Sequence, residues 1–192
     1  MALENTAVLP RMSFEEYLLR ETNASSKSEF FYGHVYAMAG ARFGHNLIAG
    51  NCLGALRDRL RARGCAVLGS DQIVECVTAN AAFYPDVTVI CGNKMRSSAL
   101  QATEPEMIVE VLSPSTRNHD QTNKLEEYKL IPSLQHILFL ESESVGAQLY
   151  TRDAGGNWPA LAYNYLSIED MLPLRHFDTT LPLREIYENV SF

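Results

Sequence analysis

The chain has 192 residues, of which 46% are hydrophobic, so we expect one domain over residues 1–192 that buries roughly 70% of its unfolded surface in a single core. The formal net charge of −7 argues against a protein that coats nucleic acid by bulk attraction, because neutralising phosphates requires an excess of lysine and arginine. No run approaches the roughly 18 apolar residues of a membrane span, and residues 1–5 lack the order of a signal peptide, so we expect a cytoplasmic protein with no membrane partner.

The N-terminal third is predicted to form a helix, a β-hairpin and a longer helix. Ser13 and Glu16 have the spacing of a capping box, which predicts a short helix that starts there. Residues 29–38 are aromatic and β-branched on both sides of a glycine, which predicts two strands joined by a tight turn. Apolar residues recur at helical spacing over residues 45–63, and Gly64 follows as the expected stop.

The middle of the chain is predicted to contain strands. Length and β-branched content predict them over residues 65–68, 72–77, 84–91 and 107–112. The last of these segments is almost continuously apolar, which indicates a strand that is buried on both faces. Residues 93–104 form a polar stretch and are predicted to be a loop.

One more helix and three more strands are predicted after the breaking residue Pro114. Asn118 or Asp120 can cap a helix that runs to Leu130, and Pro132 prevents it from continuing. Strands are then expected over residues 135–140, 147–151 and 158–165, and the last two are expected to pair as a hairpin.

The four cysteines give no sign of a metal site. They are more than ten residues apart, with no CxxC pair and no histidine at the spacing of a zinc ligand. We therefore expect four free and mostly buried thiols: Cys52, Cys65, Cys76 and Cys91.

Two acids lie in apolar strand segments. Asp86 opens the strand predicted over residues 84–91, and Glu110 lies within residues 107–112. Because an unpaired buried carboxylate is costly, such an acid usually has a cation partner or binds a metal. Either acid alone is more simply a solvated or salt-bridged residue, but together they would suit a hard divalent cation such as magnesium.

Three other polar or aromatic groups have simpler interpretations. Asp120 and Lys124 are four residues apart on the predicted helix, and this spacing alone favours a surface ion pair worth under about 1 kcal/mol. Arg57, Arg59, Arg61 and Arg63 could grip phosphates, but a solvated helix end is favoured. Core packing is likewise favoured over base stacking for the aromatic residues near the C-terminus, which are Trp158, Tyr163 and Tyr165.

Several ordered motifs together resemble a known family. They are Tyr84-Pro85-Asp86 before an apolar strand, Val109-Glu110-Val111-Leu112-Ser113-Pro114-Ser115-Thr116, then Asp120, Lys124 and Tyr128, and finally Pro132-Ser133-Leu134. With Glu29, the hairpin glycine Gly33 and His45, the match extends over residues 13–188. The chain resembles the Uma family of restriction-endonuclease-like proteins, a branch of the PD-(D/E)XK nuclease superfamily.

The resemblance implies both a fold and an activity. The implied fold is α/β, with a restriction-endonuclease-like central mixed sheet flanked by helices and an N-terminal β-hairpin. The implied activity is that of an endonuclease that depends on Mg²⁺ or Mn²⁺ and hydrolyses phosphodiester bonds of DNA. A homodimer would suit this activity, since duplex cleavage needs two cuts and exposed hairpin strands could pair between subunits.

The resemblance also implies site residues. Asp86 and Glu110 match the two acids of the motif and are the implied metal ligands. The motif's lysine would fall at Leu112, and in this family its place is taken by a lysine of the following helix, which Lys124 matches. The implied catalytic residues are thus Asp86, Glu110 and Lys124, and the implied supporting residues are Glu29, His45 and Asp120.

Two other functions remain open from the sequence. One is a catalytically silent nucleic-acid-binding or scaffold protein that keeps the nuclease fold, because one fold can carry different sites. The other is a hydrolase of a different phosphoester, such as a nucleotide or RNA.

Overall fold

The helices are distributed along the chain, and the longest of those described is Phe43–Leu60. The computed structural model describes residues 11–38, 40–76, 80–92, 98–114 and 116–192. Its helices are α1 (Phe14–Thr22), α2 (Phe43–Leu60) with a 3₁₀ turn (Arg61–Arg63), α3 (Arg117–His119), a π-helical turn (Asp120–Lys124), α4 (Leu125–Lys129), a second 3₁₀ turn (Arg175–Phe177) and α5 (Leu183–Ile186).

The strands form two mixed sheets and a separate hairpin. In chain order they are β1 (Ser28–Phe31), β2 (His34–Ala37), β3 (Cys65–Gly69), β4 (Ile73–Glu75), β5 (Ala81–Phe83), β6 (Val87–Cys91), β7 (Gln101–Ala102), β8 (Met107–Leu112), β9 (His136–Glu141), β10 (Ala147–Thr151), β11 (Tyr163–Tyr165), β12 (Met171–Leu174) and β13 (Thr179–Pro182). The five-stranded sheet has the order β2-β1-β5-β4-β7, the six-stranded sheet has the order β11-β10-β9-β8-β6-β3, and β12 pairs with β13.

The helix and hairpin at the N-terminus follow from local sequence signals. The Ser13 hydroxyl accepts a hydrogen bond from the Glu16 amide, and the Glu16 carboxylate accepts one from the Ser13 amide, so the predicted capping box is confirmed. Tyr32 and Gly33 both have positive φ, 49° and 86°, which is the geometry of a two-residue hairpin turn. The predicted hairpin is confirmed as β1 and β2.

Helix α2 forms much as its apolar period predicts. Ile48, Cys52, Leu56 and Leu60 lie four residues apart and are fully buried. The helix gives way to a 3₁₀ turn and ends at Gly64, which has the left-handed φ of 71° expected of a C-terminal glycine. The predicted helix and its stop are confirmed.

The two faces of the six-stranded sheet pack against different partners. One face packs against α2, α5 and the β12-β13 hairpin. The other face packs against α4 and the five-stranded sheet. Strand β8 lies inside the six-stranded sheet, parallel to β9 and antiparallel to β6, and all of its residues are buried, as predicted. Mixed sheets flanked by helices are thus confirmed, with two sheets where one central sheet was expected.

Several predicted boundaries are wrong. The strand expected over residues 84–91 begins at Val87, and β5 is a separate strand that joins the other sheet, because Pro85 cannot donate a ladder hydrogen bond. The helix expected to be capped by Asn118 or Asp120 instead begins at Arg117, so both residues lie inside it. The loop expected over residues 93–104 contains the short strand β7, which pairs with β4. Val77, part of a predicted strand, and residues 93–97 of that loop lie outside the described residues.

The C-terminal strands are only partly as predicted. Strands β9 and β10 form where they are expected, and β10 pairs with β11 in the predicted hairpin. The last strand covers Tyr163–Tyr165 alone, and Trp158 outside it donates its indole N–H to the carbonyl of Lys129. None of the helices in the described part of the chain is long and apolar enough to cross a bilayer.

The expectation of four free cysteines is wrong for one pair. The register of β3 and β6 places Cys65 opposite Cys91, with a Cα–Cα distance of 3.8 Å, and the two form a disulfide. The pairing depends on strand register, which the spacing of cysteines along the chain does not show. Cys52 and Cys76 are free and buried, as expected.

Reduction of the disulfide is expected to destabilise the protein by about 3 kcal/mol. The bond joins residues 26 positions apart, and its loss restores the conformational entropy of that loop to the unfolded chain. Urea unfolding with and without a phosphine reductant measures the change. A Cys65→Ser/Cys91→Ser variant should not respond to the reductant, and a wild-type midpoint that also does not respond would contradict the prediction.

A buried histidine makes the fold sensitive to acid. His136 is fully buried, its Nε2 accepts a hydrogen bond from the His176 amide, and its Nδ1 lies 3.1 Å from the Thr151 hydroxyl. An accepting Nε2 requires a neutral ring. Burial, aided by the charge of His176, lowers the pKa of His136 from 6.5 to about 4.

The free energy of unfolding should therefore fall on acidification, because His136 is protonated in the unfolded chain at pH values at which it stays neutral in the folded protein. The His136 contribution is fully present above the unfolded pKa and is lost as the pH falls toward the folded pKa. Between pH 7 and pH 4.5, wild type should lose about 2.5 kcal/mol more than His136→Gln. Urea unfolding at both pH values tests this, and equal losses in the two proteins would refute it.

Candidate active site

Strand register brings the two predicted acids together. Val87 on β6 pairs with Val109 on β8, so the next position along each strand places Asp86 beside Glu110. Both valines belong to the apolar cluster under α2, which leaves the two acids facing the opposite side of the sheet. The Val111 amide donates to Asp86 Oδ2 at 2.7 Å and fixes that carboxylate against β8.

Lys124 lies at the centre of a carboxylate cluster. Its Nζ is 2.8 Å from Glu29 Oε1, 3.1 Å from Glu110 Oε1 and 3.2 Å from Asp120 Oδ1. The contacts with Glu29 and Glu110 are hydrogen bonds, and the contact with Asp120 is an ion pair. The contacts join the hairpin, strand β8 and the helical region of residues 117–129 at one point.

The interpretation of Asp120 and Lys124 as a surface pair is wrong. Only 3% of Asp120 and 5% of Lys124 are exposed. Both lie in the π-helical turn, a rare widening of a helix that is frequent at functional sites. Spacing alone could not reveal this burial, because it comes from the hairpin and sheet that pack over the helix.

Two further groups complete the cluster. Tyr128 donates its hydroxyl to Glu110 Oε1 at 2.6 Å, and the Tyr84 amide donates to Glu29 Oε1 at 3.2 Å. Tyr128 is a site residue that the sequence prediction missed. Its position four residues after Lys124 was the available signal, because residues at this spacing share one face of a helix.

His45 lies next to the first acid. It sits in the first turn of α2, and its Nε2 is 3.4 Å from Asp86 Oδ2. Its Nδ1 is buried and has no hydrogen-bond partner among the described residues. The structure therefore brings together all six residues implied by the resemblance: Glu29, His45, Asp86, Glu110, Asp120 and Lys124.

Burial sets the protonation behaviour of the cluster. It raises the pKa of Glu110 well above its ordinary value, although the charge of Lys124 acts in the other direction. Burial also raises the pKa of Asp86, although His45 and the Val111 amide lower it. For Lys124, burial lowers the pKa, but the surrounding carboxylates outweigh it and raise that pKa well above normal. The ammonium is therefore charged.

The charges leave room for a divalent cation. Three carboxylates, those of Glu29, Glu110 and Asp120, contact the ammonium, and that of Asp86 lies beside Glu110, a formal excess of three negative charges when all four are ionised. Among the described residues, no group donates to or pairs with Asp86 Oδ1 or Glu110 Oε2. Ionising all four carboxyl groups here is costly, which agrees with the raised pKa values of Asp86 and Glu110, and a bound cation would reduce that cost.

The donor set fits magnesium better than zinc. Within the ranges that the structure describes, no three or more side chains of histidine, cysteine, aspartate or glutamate form a metal cluster. Structural zinc uses four such ligands, whereas magnesium often binds to one or two carboxylates and keeps several waters. Two neighbouring carboxylates therefore fit Mg²⁺ or Mn²⁺.

The other charged and aromatic groups have structural contacts. Arg59 forms two hydrogen bonds of 2.7 Å with Glu185, and its Nε donates to the Thr180 carbonyl. It therefore ties α2 to the C-terminal elements. Trp158 packs under Arg152, whose guanidinium carbon lies 4.7 Å from the ring centroid. The expectation of a solvated helix end is therefore wrong for Arg59, whereas the contacts of Trp158 agree with packing.

A family model matches most of the chain. Residues 14–183 match the family described as "Uma2: Putative restriction endonuclease". The chain belongs to this family. Two uncharacterized proteins of Synechocystis sp. are similar along most of their length. The protein slr1290 is 33% identical over 97% of both chains, and sll1609 is 32% identical over 74% of this chain and 82% of its own.

A solved structure shares the fold of this Uma2 family member. It comes from Anabaena variabilis ATCC 29413 and is described as "a putative nuclease belonging to DUF820". The two align with a TM-score of 0.72 over 92% of this chain and 97% of the other, with 14% identity. The α/β fold is thereby confirmed, and the family match supports a nuclease.

Removing the central ammonium should destabilise the protein strongly. Lys124→Met leaves three buried carboxylates without their cation, so the free energy of unfolding at neutral pH should fall by about 3–5 kcal/mol. Lys129→Met is the matched control on the same helical region. It breaks the pair with Glu126, whose side chain is 73% exposed, and a cation–π contact with Tyr150, and should cost about 1 kcal/mol. Urea unfolding measures both, and equal losses would contradict the central role of Lys124.

Proposed function

We propose that the protein is a Mg²⁺-dependent endonuclease that hydrolyses phosphodiester bonds of DNA, with Asp86, Glu110 and Lys124 as its catalytic residues. One observation carries the proposal. Two neighbouring, mostly buried carboxylates, Asp86 and Glu110, each keep one oxygen without a partner in a cluster that has an excess of negative charge. The family match supports a nuclease, and we propose DNA as its substrate because the family is described as a restriction endonuclease.

Each residue has a defined role in this proposal. Asp86 and Glu110 would hold the metal, which would supply Lewis-acid stabilisation of the phosphate and a bound water of lowered pKa. Lys124 would stabilise the extra negative charge of the transition state. Its two hydrogen bonds, to Glu29 and Glu110, leave the third N–H donor of the ammonium for a phosphate oxygen.

The remaining cluster residues would position this machinery. Glu29 and Asp120 hold the ammonium from two sides, and Tyr128 restrains the Glu110 carboxylate through Oε1. His45 would keep Asp86 in place through the contact at Oδ2. The free oxygens of the two acids are thus left for the metal.

The proposal extends to assembly and location. A homodimer would place two sites on one duplex, and β2, the outer strand of the five-stranded sheet, offers an edge for pairing with a second copy. A cytoplasmic location would give access to DNA.

The proposal is tested by measuring metal binding and cleavage on the same variants. Asp86→Asn and Glu110→Gln remove one negative charge each with little change of shape. Mn²⁺ binding, followed by the loss of the free-ion electron paramagnetic resonance signal, should weaken at least tenfold in both. Nicking of supercoiled plasmid in Mg²⁺ should fall at least a hundredfold, because charge stabilisation and water activation both depend on the metal.

Glu126→Gln is the matched control. It removes a carboxylate that is 73% exposed and lies outside the cluster, so metal binding and nicking should both stay at the wild-type level. Wild-type protein that binds neither metal, or variants that nick as fast as wild type, would overturn the proposal. DNA binding without cleavage in the wild type would favour the silent binding protein instead.

A further inference from the structure

An aromatic surface borders the carboxylate cluster. In the hairpin, Tyr36 on β2 is the direct cross-strand partner of Glu29 on β1. Residues that are opposite each other in an antiparallel pair share one face of the sheet, so Tyr36 lies on the same face as the carboxylate that binds Lys124. The Tyr36 side chain is 47% exposed. The ring of Tyr36 is therefore open to solvent beside Glu29, which contacts the proposed catalytic ammonium of Lys124.

The second ring of this surface comes from the helical region. His119 directly precedes the π-helical turn, and its ring centroid lies 5.8 Å from that of Tyr36. Behind it, His119 packs edge-on against Phe31 and Phe83, at 6.0 Å and 6.1 Å. Phe83 in turn lies 5.4 Å below the ammonium of Lys124. The rings thus form a continuous path from the cluster to the exposed face of Tyr36.

The hairpin that carries Tyr36 is fixed in place at two points. Glu29 is held by Lys124, and the turn residue Tyr32 donates its hydroxyl to Glu127 Oε1 at 2.9 Å. Both partners, Lys124 and Glu127, belong to the helical region of residues 117–129. This anchoring sets the position of Tyr36 relative to the site, so that a ligand which stacks on it loses little additional freedom of the protein.

We infer that Tyr36 and His119 form a stacking surface for an unpaired nucleobase, so that the preferred substrate is single-stranded DNA or DNA with an unpaired nucleotide next to the scissile bond. This inference rests on the proposed function. Aromatic rings bind bases that are free of their duplex partners, because a stacked and paired base does not present its face. The net charge of −7 favours the same substrate class, since stacking supplies affinity without neutralising phosphates.

The test measures binding and not cleavage. A fluorescein-labelled oligothymidylate and a labelled duplex of the same length are titrated with protein, with Ca²⁺ in place of Mg²⁺, and followed by fluorescence anisotropy. Wild type should bind the single strand more tightly than the duplex. Tyr36→Leu should weaken single-strand binding roughly tenfold and leave duplex binding unchanged, because only the single strand stacks.

Three comparisons separate stacking from a structural effect. Tyr36→Phe keeps the ring and should restore single-strand binding. Tyr163→Leu removes a tyrosine that is 61% exposed on β11, in the other sheet, and should bind like wild type. His119→Leu should weaken single-strand binding with the same sign as Tyr36→Leu. Melting temperatures of the Tyr36 variants should match wild type, because a half-exposed ring adds little to the core.

Defined results would overturn the inference. Equal affinity of wild type for single strand and duplex would do so, and so would a Tyr36→Leu variant that binds the single strand like Tyr163→Leu. Failure of the metal-nuclease proposal would appear separately, as plasmid nicking that persists in Asp86→Asn, while base stacking in the Ca²⁺ assay would be unaffected.

Discussion

The structure of the site depends on the charge of one buried side chain, that of Lys124. Without the three carboxylates an ammonium could not be buried here, and without the ammonium the carboxylates would repel one another inside an apolar fold. Because the carboxylates come from the hairpin, the six-stranded sheet and the helix itself, one electrostatic balance also fixes three separate elements. The same contacts of Lys124 therefore hold together both the scaffold and the site.

Local signals in the sequence were enough for most of the scaffold. The capping box at Ser13, the glycine of the hairpin turn, the apolar period of α2 and the nearly continuous apolarity of β8 each depend on a few neighbouring residues. Their physics is short-ranged, so they can be predicted without knowledge of the fold. The resemblance to the Uma family then indicated the acids, the lysine and the histidine that the structure brings together.

The features that were missed depend on long-range packing. Whether Asp120 and Lys124 are exposed is decided by the hairpin that lies over them, and the Cys65–Cys91 pair is decided by strand register. Strand β5 was missed because its three residues join a sheet that local pattern does not reveal. Tyr128 stands among the family motifs, four residues after Lys124, but only its hydroxyl contact with Glu110 shows that it belongs to the site.

The π-helical turn limits how the sequence of this region can change. A π-helical turn holds one residue more than the α-helical turn it replaces, and each residue of an α-helix turns the chain by roughly 100°. Because both kinds of turn complete about one rotation, deleting a single residue between Asp120 and Lys124 would restore a regular helix and leave the residues on its two sides facing nearly as before. Inserting a further residue has no such compensation and would rotate one side against the other by about that angle, so that His119 and Tyr128 could no longer face the cluster together. The region should therefore tolerate a single deletion better than an insertion.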